Sequence, residues 1–473
     1  MTRGERPRIN LFLGVGIIKT YQDFEAATDT IEFIKGAINE YRASDEYKMA
    51  LAADEYEKQR NITIREYVRY LYDQSGRKTV DFTASNSKLA NNFFHRLNTQ
   101  RCSYSLGNGV SFTHTETRTE DGKEETVDLT KEALWPSFDT DLYTAAYYAL
   151  IHGVCYMRWD EDGGYVFPMT QFCPLVDEYT GALRAGMRFW SLDWQNRPAT
   201  VVLYEEDGYT IYRTKPGSKG MDLMEYKPKT AYRQQIQYTE ADGEELVGES
   251  NYGALPIVPL WGSKHKQSTL AGMRDKLDAY DLIQSGFAND LQECAEIYWI
   301  VGNAMGMMDA DLAKFRDRIK LNHIAVADTD NSSVTPYVQQ IPTDARRVFL
   351  EQIRASIFED FGALDVHTIS AGQTNDHIDA AYQPMDEEAD DFEYQIIQFV
   401  QQILSLMGIE DTPQFKRNRV SNQREQTEMV MMAADKLDDE TLLNKLPFIS
   451  VDEVRDILAR KDETTDSRMD LEE

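Results

Sequence analysis

The chain has 473 residues, of which 42% are hydrophobic, and this is enough material for more than one folded core. It carries 80 acidic and 50 basic residues, and the formal charge of −30 excludes a surface that attracts nucleic acid over its whole extent. Solubility alone is a sufficient explanation of such acidity. The sequence has no run of about 18 apolar residues, so no membrane span is expected.

The N-terminal part of the chain is predicted to be mostly helical. Its first residues are weakly apolar and interrupted by glycine, which indicates a first strand or arm and not a signal peptide. Helices are expected over residues 20–73 and 86–104, where apolar side chains recur at helical spacing. A peripheral hairpin of two polar strands is expected around Asp121-Gly122, followed by a helix that ends at Gly153.

From Val154 the pattern changes to short strands. Glycine turns separate them at regular intervals, at Asp162-Gly163, Thr180-Gly181 and Asp207-Gly208, which predicts an antiparallel sheet. Residues 214–250 are polar and are expected to form a loop or a weak hairpin. The four cysteines fit no metal-site spacing and are expected to be reduced thiols.

A long helix is predicted from Ser268 to Gly302. About 33 residues at roughly 1.5 Å each make a rod of about 50 Å. One face carries an apolar stripe with a single polar gap at Gln284. The stripe consists of Leu270, Met273, Leu277, Tyr280, Phe287, Leu291, Cys294, Tyr298 and Val301. Another face carries the acids Asp275, Asp278, Asp281, Asp290, Glu293 and Glu296. When the helix is considered alone, the simpler interpretation is that this face is exposed to solvent.

The C-terminal third is predicted to be a small α/β unit followed by helices. A brief helix with a cluster of basic residues is expected first, and two strands follow it. A second helix is expected from Thr343 to about Asp360, and a third long helix from about Asp386 to Met407. The tail is predicted to hold three short helices. The basic cluster consists of Lys314, Arg316, Arg318 and Lys320.

The sequence lacks the common catalytic motifs. It has no phosphate-binding loop, no complete dinucleotide fingerprint, no H-E-x-x-H and no G-x-S-x-G. His367 and His377 could pair on a metal, but the polarity of a loop explains them better. The acids from Asp386 to Asp391 could hold Mg²⁺ for a nuclease, although acids at a helix start are explained more simply by the helix dipole. No catalytic residue, metal or cofactor is therefore expected.

Several segments, in order along the chain, resemble a known family. They include LYTAAYYALIHGVCYMRWDEDGG, NYGALPIVPLWGSK, DAYDLIQSGFANDLQECA and LLNKLPFISVDEVRDIL. The series resembles the portal proteins of tailed bacteriophages, of the type found in long-tailed phages of Gram-positive hosts, over about residues 45 to 460. Two places depart from the family pattern. Ala371-Gly372-Gln373 replaces the expected Ser-Gly-x-Ala arrangement, and the arm before Tyr47 has no match.

The resemblance implies an α+β, mainly helical portal fold that is assembled as a ring. It implies a wing, a two-helix stem, a small α/β clip and a helical crown. The implied boundaries are wing 1–260, first stem helix 261–302, clip 303–342, second stem helix 343–362, tunnel loop 363–385, wing long helix 386–415, and crown and tail 416–473.

The resemblance also implies a non-enzymatic function. A ring of usually twelve copies would sit at one capsid vertex and pass double-stranded DNA during packaging and ejection. The clip residues Lys314, Arg316, Arg318 and Lys320 would dock the terminase motor and later the head–tail adaptor. The acidic face of the long helix would line the channel. The tunnel loop would bring five side chains near DNA: Gln373, Asn375, Asp376, His377 and Gln383.

The resemblance also implies the major capsid and scaffolding proteins as partners. It implies that the protein assembles in the host cytoplasm, is located in the virion and does not bind a membrane. Two alternatives stay open at this point. One is a different head-completion or minor capsid protein of a virion, and the other is a nuclease with an acidic site. Ring formation distinguishes the portal from both.

Overall fold

The computed structural model describes residues 19–72, 76–82, 84–120, 123–190, 199–218, 220–239, 243–294, 298–302, 333–337, 343–365, 375–419, 427, 430–432, 439–444 and 457. Helices and strands are mixed throughout these ranges. The α-helices are α1 (Tyr21–Glu25), α2 (Thr30–Ala43), α3 (Asp45–Glu57), α4 (Ile62–Glu66), α5 (Phe93–Leu106), α6 (Leu129–Ala133), α7 (Phe138–His152), α8 (Thr269–Cys294), α9 (Thr343–Phe361), α10 (Asn375–Met407) and α11 (Asp439–Asn444).

The strands come mostly from the middle of the chain. They are β1 (Tyr70–Tyr72), β2 (Lys78–Val80), β3 (Val110–Ser111), β4 (Thr115–Glu120), β5 (Lys123–Asp128), β6 (Val154–Asp160), β7 (Gly163–Pro168), β8 (Phe172–Val176), β9 (Leu183–Trp190), β10 (Thr200–Glu205), β11 (Gly208–Thr214), β12 (Leu223–Thr230), β13 (Arg233–Thr239), β14 (Gly243–Ser250), β15 (Ile257–Trp261), β16 (Tyr298–Gly302), β17 (Ser333–Tyr337) and β18 (Gln414–Phe415).

The chain divides into two compact units. The larger unit comprises Met1–Glu57, Phe94–Met273 and Phe358–Glu473, and the smaller unit comprises Lys58–Phe93 and Arg274–Ile357. No helix in the described residues combines the length and the apolar character that a membrane span requires.

One core of the larger unit lies on a five-stranded antiparallel sheet of order β12-β11-β10-β9-β8. Side chains of β11 alternate between buried and half-buried, as expected for a strand with one face on a core. Helix α2 supplies the opposing apolar face, with Ile34, Ile38 and Tyr41 buried in the same cluster. The Tyr41 hydroxyl donates to the carbonyl of Met169 at 3.1 Å, so the one polar atom that this ring buries is satisfied.

A second core of the larger unit joins α7, the sheet β15-β6-β7 and the C-terminal half of α10. The apolar residues of α10 that face it recur at steps of three and four: Phe392, Ile396, Phe399, Val400 and Ile403. This confirms the third long helix, which was predicted from the helical spacing of its apolar residues. The predicted hairpin around Asp121-Gly122 is also confirmed, as the antiparallel pair β4 and β5.

Three helix boundaries differ from the prediction. The helix expected over residues 86–104 begins only at Phe93, and the residues before it are not helical. Helix α8 ends at Cys294, and Tyr298–Gly302 forms strand β16, which pairs with β17. The segment YWIVG is rich in aromatic and β-branched residues, which favour strands, although its spacing also fits a helical stripe. Helix α10 begins at Asn375 and contains Pro384. The part of the predicted tunnel loop from Asn375 to Met385 is therefore helical. Its added turns bury Ile378, Tyr382 and Met385.

Strand content exceeds the prediction of a mainly helical chain. The predicted helical region 20–73 is four separate helices that lead into β1. Residues 214–250, expected to form a loop or a weak hairpin, contain β12 and the hairpin β13–β14. Polar sequences in hairpins carry little apolar periodicity, so the pattern that reveals strands is weak there. The α+β character of the prediction is confirmed, and helix remains more frequent than strand in the described residues.

Candidate functional site

The start of α8 is joined to the end of α7 by side-chain hydroxyl groups. Thr269 Oγ1 donates to the carbonyl of Leu150 at 3.0 Å, and Ser268 Oγ donates to that of Ile151. These carbonyls belong to the last turn of α7, where the helix itself supplies no N–H group to pair with them. Ser268 Oγ in turn accepts from Leu270 N at 3.1 Å and so caps α8. The predicted helix start at Ser268 and Thr269 is therefore confirmed.

The buried face of α8 changes character along the helix. Leu270, Met273 and Leu277 are buried as the predicted apolar stripe requires. The next buried positions, each four residues further on, are polar: Asp281, Ser285 and Asn289. The predicted stripe fails in this half of the helix, because Leu291 is 52% exposed. Gln284, the polar gap, is half-buried and does not lie in an apolar core.

The polar face of α8 binds an extended segment of the smaller unit. Four helical residues rise about 6.0 Å, and two extended residues rise about 6.6 Å, so the two repeats nearly match. Each side-chain oxygen accepts from the backbone of alternate residues, Asp281 from Asn91 N (2.7 Å), Ser285 from Leu89 N (3.0 Å) and Asn289 from Ser87 N (2.6 Å). We call these three side chains the α8 ladder. They hold the smaller unit's segment 87–91 along the helix.

The acids predicted to line a channel differ in their burial and in their partners. Asp275 is exposed on α8. Asp278 accepts from Thr63 Oγ1 at 2.7 Å, and Asp290 forms an ion pair with Arg346. Asp281 is completely buried, so its assignment to a channel surface is wrong. The side chains of Glu293 and Glu296 lie outside the described residues.

Asp281 is the most unusual of these acids. Its carboxylate accepts from the side-chain amides of Asn61 (2.5 Å) and Asn91 (2.7 Å) as well as from Asn91 N. Burial raises the pKa of this carboxyl despite those hydrogen bonds. The folded protein therefore holds the Asp281 proton more tightly than the unfolded chain does. The stability contributed by this group falls as the pH rises from about 4 through the raised pKa.

Substitutions at Asp281 test this description. Asp281→Ala leaves three donors unsatisfied, and we expect a loss of about 2–4 kcal/mol in the smaller unit. Asp281→Asn removes the buried charge and keeps an acceptor for Asn91. It turns an amide donor towards Asn61, whose buried and unpartnered Oδ1 can accept it once that side chain rotates, so a smaller loss of about 1 kcal/mol is expected. The Asn variant should also lose the decline of stability that sets in above about pH 4 in the unaltered protein. Hydrogen exchange of residues 85–92 as a function of pH measures both effects, and equal losses in the two variants would contradict the ladder.

The predicted tunnel-loop residues fall partly outside the described residues. Gln373 lies there, as does His367 of the possible metal pair. Asn375 and Asp376 form the first turn of α10, with side chains that are not described. His377 and Gln383 are exposed on α10. The clip cluster Lys314, Arg316, Arg318 and Lys320 also lies outside the described residues.

The acids of α10 are explained by arginine pairing. They lie in the middle of the helix, so the predicted role at a helix start is wrong. Arg417 binds Glu393 in a bidentate manner at 3.0 and 2.8 Å and reaches Asp386 at 3.0 Å and Asp390. Arg419 also pairs with Asp386. Burial opposes ionisation of Asp386, but hydrogen bonds from Tyr104 and Arg419 hold the pKa of its carboxyl below the usual range.

This network fastens the C-terminal segment to the larger unit. Strand β18 pairs with β3, and Asn418 N donates to the Tyr104 carbonyl at 2.9 Å. We call Arg417, Arg419 and their carboxylate partners the α10 clamp. Nothing at the sequence level singles out these arginines, because their partners are about 30 residues away. Within the described residues, no group of three or more His, Cys, Asp or Glu side chains is arranged to hold a metal ion.

Comparison with known proteins decides the family. The model of one family, described as "Phage portal protein, SPP1 Gp6-like", matches residues 47–467. The chain belongs to this family of phage portal proteins. The resemblance found in the sequence is thereby confirmed. The portal family model leaves out residues 1–46, which agrees with the absence of a resemblance before Tyr47.

Two named portal proteins are similar to this chain. The portal protein of Clostridium phage phiCD119 is 24% identical over 219 residues, which are 44% of this chain and 48% of that protein. The match thus spans about half the length of that relative. The portal protein of Bacillus phage SPP1 is 22% identical over 409 residues, which are 80% of this chain and 77% of the relative. Both phages infect Gram-positive hosts, as predicted.

One solved structure is similar over much of its length. It is a chain of a particle described as "Neck of empty GTA particle computed with C6 symmetry", with 10% sequence identity and a TM-score of 0.39. The similarity covers 74% of this portal family member and 89% of the other chain.

Proposed function

We propose that this chain assembles into a ring at one vertex of a phage capsid and forms the channel through which double-stranded DNA is packaged and ejected. The observation that carries the proposal is the family match over residues 47–467. Two relatives with 22–24% identity bear the name portal protein. The ring is expected to contain about twelve copies, as the resemblance implies.

The subunit would use α8 and α9 as its stem. The clip would be residues 303–342, the tunnel segment about 366–385, and the crown the residues after 416. Exposed Asp275, together with Glu293 and Glu296, would give the channel an acidic wall. Phosphates bind strongly to lysine and arginine, so an acidic wall would leave DNA free to move.

The role is structural and not catalytic. The acids of α10 that could suggest a nuclease neutralise Arg417 and Arg419, and this leaves them poorly suited to bind Mg²⁺. The proposed partners are the terminase, the head–tail adaptor, and the major capsid and scaffolding proteins. Assembly is placed in the host cytoplasm.

A genetic experiment tests the function. The gene for this chain is interrupted in its phage and supplied in trans during infection. Heads without DNA are expected when the gene is interrupted, and DNA-filled heads when the unaltered chain is supplied. DNA-filled heads without the chain would contradict the proposal.

The same experiment tests the docking surface in the clip. We expect alanine at Lys314, Arg316, Arg318 and Lys320 to leave rings intact and to reduce filled heads at least tenfold, because the motor loses its charged contacts. Normal packaging by this variant would contradict the assignment. A matched control removes the same charge from exposed lysines elsewhere and should package normally: Lys48, Lys58, Lys264 and Lys416.

A further inference from the structure

A groove of about 450 Å³ lies in the larger unit beside the loop that follows β8. Its walls come from this loop, from β15 and from the last turns of α10. Leu183, Leu255, Ile257, Trp261 and Leu406 make much of its surface apolar. An ion pair between Arg184 and Glu206, at 2.8 Å, stands at its edge. An apolar groove of this kind favours an uncharged, apolar occupant.

The N-terminal end of the described chain is fastened to the edge of this groove. Gln22 Nε2 donates to Asp177 Oδ2 at 2.6 Å, and Gln22 Oε1 accepts from Glu178 N at 3.1 Å. The same loop turns back through Gly181 N to Asp177 O (2.8 Å) and then forms the groove wall at Gly181 and Ala182. The described chain therefore begins at Lys19, three residues before a side chain that is bound to the loop of the groove.

The sequence that precedes this point has the matching chemistry. Residues 9–18 read INLFLGVGII and carry no charged side chain. Seven of these ten residues are large and apolar. Ten residues can reach at most about 33–36 Å, which is ample for a groove whose edge lies beside Gln22. Arg184 and Glu206 are paired with each other, and the third charged group of the lining, the Lys266 ammonium, lies 4.6 Å from the centre of the Trp261 ring.

We propose that residues 9–18 of the same chain occupy this groove and cover its apolar walls. The segment lies before residue 47, where the match to the portal family model begins. Burial of apolar side chains provides the driving force, at roughly 25 cal/mol per Å². Docking on the same copy costs little chain entropy, because the loop that must close is short.

A labelling experiment tests whether the groove is covered. Ser405 is exposed at the groove, so Ser405→Cys reports on access in a Cys294→Ser background, where the other three cysteines are buried. Serine at Leu11, Phe12 and Leu13 in the full chain should raise the maleimide reaction rate of this cysteine at least fivefold. The control Tyr226→Cys, on the strand at the far edge of the sheet, should not change. An unchanged rate at Ser405→Cys would overturn the proposal.

Cross-linking in the same background identifies which copy supplies the segment. Phe12→Cys with Ser405→Cys, treated with a short bismaleimide, should give an internally linked monomer on a denaturing gel. Its yield should be several-fold above that of Phe12→Cys with Tyr226→Cys. Linked dimers would show that the segment docks on a second copy, and a yield equal to the control would show that it does not dock there. Either result would overturn the proposal.

Discussion

Replacing Gly153 with alanine is expected to lower the stability of the larger unit by about 3 kcal/mol or more. Gly153 ends α7 with φ of 93°, a left-handed conformation that costs other residues roughly 1–2 kcal/mol. A methyl group there would also lie 2.7 Å from the carbonyl carbon of Gln267 and 2.8 Å from Ser268 N. Both atoms belong to the backbone that leads into α8, so they cannot move aside without disturbing the helix start.

Gly217 supplies the matched control for this substitution. Its φ is 82°, but a methyl group at that position would meet no atom within 4 Å. Gly217→Ala should therefore cost only the conformational term, about 1 kcal/mol. Calorimetry of the full chain measures the difference, and Gly153→Ala should lower the first thermal transition by about 5 °C more than the control. Equal shifts would show that the close approach of α7 to the start of α8 is unimportant.

Removing Arg417 is expected to release the C-terminal segment from the larger unit. In Arg417→Met, Glu393, whose residue is 8% exposed, would lose its bidentate partner, and Asp386 and Asp390 would lose a shared cation. Uncompensated buried charge is costly, although the partial exposure of the other two acids reduces the effect. We expect a loss of about 2–3 kcal/mol, which corresponds to a fall of up to about a hundredfold in hydrogen-exchange protection for residues 409–419.

Two variants show whether the geometry of the α10 clamp matters. Arg417→Lys keeps the charge but cannot bind Glu393 with two parallel hydrogen bonds, so an intermediate loss is expected. Lys416→Met removes the same charge from an exposed neighbour and should leave protection unchanged. Equal effects of Arg417→Met and Lys416→Met would contradict the α10 clamp and indicate a general effect of charge.

Periodicity predicted the parts of the fold that pack apolar faces over several turns. The stripes of α10 and of the first half of α8 are examples. The α8 start at Ser268 and Thr269 was predicted instead from the preference of serine and threonine for helix starts. The second half of α8 was predicted wrongly because its partner is a backbone. A segment with free N–H groups requires acceptors, and the helix supplies Asp281, Ser285 and Asn289. No pattern of apolar residues contains that information.

The candidate site residues were harder to predict than the family. An acid at helical spacing could line a channel, bind a neighbouring segment or pair with an arginine. Asp275 is exposed, Asp281 binds the segment at Asn91, and Asp290 pairs with Arg346. The partners lie far away in sequence, so spacing alone cannot separate the cases. Ordered motifs along the chain succeed for the family because many short matches combine, even when each is weak.

Imaging of the purified chain tests the proposed portal ring most directly. Negative-stain electron microscopy, with mass photometry of the same sample, gives both shape and copy number. We expect closed rings of about twelve subunits with a central channel wide enough for double-stranded DNA. A chain that stays monomeric across protein concentrations and ionic strengths, or that forms open filaments without a channel, would contradict the proposed function.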